Sequence, residues 1–99
     1  MTTYYVAEMT GVFGAPLTLE VAQRAVEELG MPLEAIGCRH MTANDGATGW
    51  GAFLLHRTTT SKAKAETAAR WLARELGRTD CVFIFTDWQG PVDGAGGAA

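Results

Sequence analysis

Glu28-Leu29-Gly30 returns as Glu75-Leu76-Gly77, 47 residues further along the chain. The same offset carries a first apolar strand-like stretch onto a third, a first amphipathic helix onto a second, and a second strand onto a fourth. The chain therefore reads as two successive β-α-β halves. Each half needs a right-handed crossover. Two such halves with interleaved strands predict one α+β domain, a ferredoxin-like βαββαβ sandwich. Its antiparallel sheet would have the order 4-1-3-2, with both helices on one face.

Local signals place the elements. Residues 3–9 are rich in aromatic and branched side chains and read as a strand. Gly11, Gly14 and Pro16 interrupt it. Thr18 can cap a helix starting at Leu19, whose inner face would hold Leu19, Ala22, Val26 and Leu29. Gly30 and Pro32 stop it. Residues 35–42 and 49–58 read as strands joined by the turn residues Asn44-Asp45-Gly46. Ser61 can cap a second helix with Ala65, Ala68, Leu72 and Leu76 inside, ended by Gly77. Residues 80–88 read as the last strand. The domain thus covers 1–89, and residues 90–99 form a Gly/Ala-rich tail expected to be flexible.

A chain of 99 residues has room for one thin core. Its longest apolar run, Cys81 to Phe85, is of strand length, far below the roughly 20 residues that cross a bilayer. The N-terminus lacks the basic region of a signal peptide. These features predict a cytoplasmic protein without membrane contact. A net charge of −3 gives no general attraction to nucleic acid. Arg57, Lys62, Lys64, Arg70, Arg74 and Arg78 nevertheless gather in the second half, where pairs such as Lys62–Glu66 and Glu66–Arg70 are expected on a solvated helix face.

Two helices on one face leave the other face of the sheet uncovered. Strand alternation, with Phe53 and Ile84 directed at the helices, would put Tyr5, Trp50, Leu54, Phe83 and Phe85 on that open face. So apolar a surface points to a partner. Gly49-Trp50-Gly51-Ala52-Phe53 with Tyr5 also resembles the aromatic platform of RNA-recognition domains. Cys38 and Cys81 read as buried thiols. Cys38, His40, His56 and Cys81 are of metal-ligating type, but strand order separates them, so no metal and no cofactor is expected. His40 and His56 are the candidate acid/base groups, with no orienting carboxylate evident in the sequence.

Three pieces together resemble an ACT-type regulatory domain. They are the glycine-containing loop after the first strand, the helix ending Glu28-Leu29-Gly30 and leading through Met31 to Ile36 into the second strand, and the Asp45-Gly46 turn. The resemblance spans Thr10 to Arg57. It implies the same element order, pairing through sheet edges or helices, and a small effector bound near the first loop, by Gly11, Phe13 and Gly14. Val12-Phe13-Gly14-Ala15-Pro16 stands where that family carries Asp-x-Pro-Gly.

The expectation from sequence is a non-catalytic interaction or regulatory module. It would act through protein–protein contacts on the open sheet face, as a homodimer or on a protein partner, with a small-molecule effector as a further option. A small inhibitor or regulator of cellular or phage origin fits this class. The alternatives are a small homodimeric enzyme using His40 or His56, and a single-stranded RNA binder.

Overall fold

The computed structural model describes residues 1–13, 18–42 and 44–90, with Val12 and Phe13 described by their backbone alone. It is an α+β arrangement of four strands and two helices: β1 (Tyr4–Phe13), α1 (Leu19–Leu29), a 3₁₀ turn (Leu33–Ala35), β2 (Ile36–Thr42), β3 (Thr48–Thr59), α2 (Lys62–Leu76) and β4 (Val82–Phe85). All three strand pairings are antiparallel. The sheet order is β2-β3-β1-β4, which is 4-1-3-2 counted from the opposite edge.

The helix ends follow from their capping residues. The Thr18 and Ser61 hydroxyls each accept a backbone N–H three residues on, from Val21 and Lys64, both at 3.2 Å. Gly30 and Gly77 close the helices in the left-handed region, at φ 67° and 69°. The β2–β3 turn holds because Asp45 Oδ1 accepts from Ala47 N at 2.9 Å.

Both helices cover one face of the sheet. Ile36, Leu54, Glu8 and Val82 are opposed across successive strands and so share a face. Ile36, Cys38 and Ala52 pack under Ala22 of α1, with Trp50 against them. Val6 packs under Ala65 and Leu72 of α2, with Tyr4 and Val82 alongside. The contact stripe of α1 is Val21, Ala22, Ala25 and Val26. Leu19 and Leu29, expected inside, are exposed. They lie at the first and last positions of α1, beyond the stripe that meets β2 and β3.

Two bulges interrupt the β1–β3 ladder. Thr10 of β1 and His56 of β3 have no opposite number, while their neighbours continue in register. Beyond Phe85 the expected strand stops short. Residues 86–90 instead cross to β2, the opposite edge of the sheet. Cys38 N donates to Gln89 O at 2.9 Å, and Cys38 Sγ to Gly90 O at 2.9 Å. Gly90, expected in the tail, is thus held by β2. The rest of the predicted tail, and Gly14, lie outside the described residues.

Candidate functional site

The face turned away from the helices is an aromatic layer. Phe53 lies at its centre, 1% exposed. The Phe83 and Phe85 rings meet it edge-on, at centroid distances of 5.5 and 4.9 Å and interplanar angles of 85°. They lie parallel to one another at 5.9 Å. Edge-to-face contact is the favourable aromatic geometry, worth about 0.5–1.5 kcal/mol per pair beyond the area buried. Tyr5, Met9, Leu55, Phe83 and Phe85 are each half-buried.

The crossing segment 86–90 contributes the remaining ring. Trp88 lies on Gly37, where an added Cβ would stand 2.5 Å from the indole. Its Nε1 donates to Glu34 O at 3.2 Å, and Tyr5 lies 6.0 Å away. Arg39 binds this segment too. Its guanidinium donates to Asp87 O at 2.8 Å, pairs with the Asp87 carboxylate, and sits 4.5 Å over the Phe85 ring. Gly51 serves Phe53 as Gly37 serves Trp88, since a Cβ there would meet the Phe53 ring at 2.9 Å.

Of the five residues expected on this face, Tyr5, Phe83 and Phe85 are brought together. Trp50 and Leu54 are not: they point to the helix side, Trp50 into the α1 cluster and Leu54 opposite Ile36 and Glu8. Phe53 takes the face expected for them. The assignment of β3 inverts because the strand is apolar at both parities, so alternation alone does not orient it. Gly11 lies within β1 opposite Ala52, as part of the ladder. Phe13 is opposite Trp50 in backbone register.

A second feature lies on the helix side. A groove of about 530 Å³ runs between α2 and β3 above Val6. Its floor and walls are Val6, Ala63, Ala68 and Leu72, and its polar lining is His56, Arg57, Lys64 and Thr67, with Trp71 beside them. The bulge at His56 explains why two consecutive β3 residues line one groove: it lets neighbours share a side that regular alternation would divide. Glu8 Oε1 lies 3.0 Å from His56 Nε2 and holds the imidazole. That carboxylate, which the sequence did not reveal, comes from the adjacent strand. Trp71 is 56% exposed. It falls outside the stripe of Ala65, Ala68, Leu72 and Leu76, and an aromatic off the apolar stripe of an amphipathic helix was a signal available in the sequence.

Other candidates are dispersed. His40 packs edge-on against Trp50 at 5.4 Å, away from His56. Cys38 and Cys81 are buried thiols, and Cys81 O accepts from Met9 N at 2.7 Å. Among the described residues no three His, Cys, Asp or Glu side chains are grouped to hold a metal ion, and no helix is long and apolar enough to cross a membrane. The expected Lys62–Glu66 and Glu66–Arg70 pairs are not among the ion pairs of the described residues; Arg70 reaches Thr67 at 3.3 Å instead. At the end of α2, Arg78 binds both Asp80 oxygens, at 3.1 and 2.9 Å. Those hydrogen bonds hold the Asp80 carboxyl below, and the Arg78 guanidinium above, their ordinary pKa values. No family model, curated protein or solved structure matches this chain.

Proposed function

We propose that this chain is a non-catalytic interaction module whose aromatic sheet face pairs with the same face of a second copy. The observation that carries the reading is the half-exposed layer of Tyr5, Met9, Leu55, Phe83 and Phe85 around a fully buried Phe53. Contiguous apolar surface of this kind is costly in water and marks an interface. A second copy is the occupant that the charges favour. Among the described residues, the charged groups on this face are Arg39 and Asp87, and they neutralise each other. A face without net charge meets its own image without like-charge repulsion, as a two-fold interface requires. The same neutrality disfavours nucleic acid, because no cation is left there for phosphates. The two-half strand order and the shared helix side support a ferredoxin-like description. The ACT-type resemblance adds a regulatory role for the paired module.

Size-exclusion chromatography with light scattering tests the pairing. The wild-type chain is expected to elute at twice its 10.6 kDa mass. Phe85→Glu is expected to elute as a monomer. Leu55→Glu removes a half-buried side chain from the same face and keeps the aromatic cluster intact, so it separates loss of pairing from loss of fold. A wild-type monomer at high micromolar concentration overturns the reading.

A further inference from the structure

We infer that the groove between α2 and β3 binds a small ring-bearing anion, of the chemical class of an aromatic carboxylate. The groove is on the helix side of the sheet, so this inference does not depend on the pairing of the aromatic face. Three observations carry it. The open groove of about 530 Å³ has room for a small organic ligand. Its apolar floor of Val6, Ala68 and Leu72, beside an indole left 56% exposed at Trp71, suits a flat hydrocarbon body. Its polar lining is cationic: Arg57 and Lys64 both face the groove, and among the described residues neither side chain has an acidic partner or a hydrogen bond.

Two cations without acidic partners among the described residues line one apolar groove, and an anion seated there meets both charges. Arg57 can take a carboxylate in bidentate fashion and Lys64 as a point charge. Thr67 adds a hydroxyl. Glu8 does not line the groove, and its carboxylate is engaged by His56. Lys64 reaches the groove from α2, and Arg57 from β3 by way of the bulge that puts it on the same side as His56.

The test is a titration of the ¹⁵N-labelled full chain with 2-naphthoate, followed by ¹H–¹⁵N NMR. Methyl 2-naphthoate serves as the uncharged analogue and cyclohexanecarboxylate as the non-aromatic one. Saturable shifts are expected at the Arg57, Lys64 and Thr67 amides and at the Trp71 indole. The ester and the saturated acid should each bind about tenfold more weakly. Trp71→Ala and the double variant Arg57→Gln/Lys64→Gln should each weaken naphthoate about tenfold while the folded spectrum persists. Equal affinity for ester and acid overturns the inference. So do shifts confined to Phe83, Phe85 and Trp88, or no saturation at millimolar naphthoate.

Discussion

Beneath the helices, Val6, Cys38 and Ala52 meet Ala22 and Ala65 at the closest contacts, with Ile36, Trp50 and Leu72 filling around them; on the opposite side the sheet presents Phe53, Phe83 and Phe85. The contrast follows from what covers each face. A helix brings its own bulk, so small residues at the contact let its backbone approach closely. The other face has only residues 86–90 across it. There the sheet must shield itself, and large rings leaning on one another and on two glycines shield most area per residue. The helix side is therefore closed by sequence-distant elements. The aromatic side is closed by its own side chains and remains half-open.

This comparison can be broken most sharply at Phe53. Phe53→Ala empties the centre of the aromatic layer and is expected to cost about 3–5 kcal/mol in urea unfolding. A cost below about 1 kcal/mol would show that the layer contributes little to the fold and serves only as surface. Trp50→Ala examines the other side. Half-buried under α1, it should cost roughly 2–3 kcal/mol and leave the mass in light scattering unchanged. If it instead abolished pairing, the two faces would not be separate in function.

Gly37→Ala sharpens the role of the crossing segment. The new methyl would collide with the Trp88 indole, for an overpacking cost of roughly 1–3 kcal/mol and a shift in tryptophan emission as the ring is displaced. An unchanged emission would mean that Trp88 does not rest on β2 in solution. The smallest effect is expected at Asp80→Asn. The Arg78–Asp80 pair is fully exposed and touches neither face. Because the folded Asp80 carboxyl is held below its ordinary pKa, any stability it adds is present above the unfolded value and is lost as pH falls through the folded one. The variant should therefore match wild type at low pH, and differ at neutral pH by no resolvable midpoint shift.

Much of the candidate site was out of reach of strand alternation. β4 is apolar at both parities, and Tyr5, Phe83 and Phe85 fall on the open face only when Ile84 is directed at the helices, the side on which the structure places it, opposite Val6. Trp50 and Leu54 fall on the other side because every β3 residue from Gly49 to Leu55 is apolar or glycine, so either parity is compatible with burial. The Glu8–His56 contact and the turning of Arg57 into the groove depend on a bulge, which leaves no periodic mark in the sequence.

The order of elements, the helix caps at Thr18 and Ser61, the left-handed stops at Gly30 and Gly77 and the Asp45-Gly46 turn are local. Each depends on residues within a few positions, so the sequence by itself determined them. Which face Phe53 takes, where the chain goes after Phe85 and what lines the groove are not local. A one-residue change of register exchanges the faces of a strand, and two bulges sit in the central pairing. Only packing against α1, α2 and the segment from Asp87 to Gly90 decides among those registers. Phe53, Phe83 and Phe85 then take the side that the helices leave uncovered, while Trp50 and Tyr4 pack beneath them.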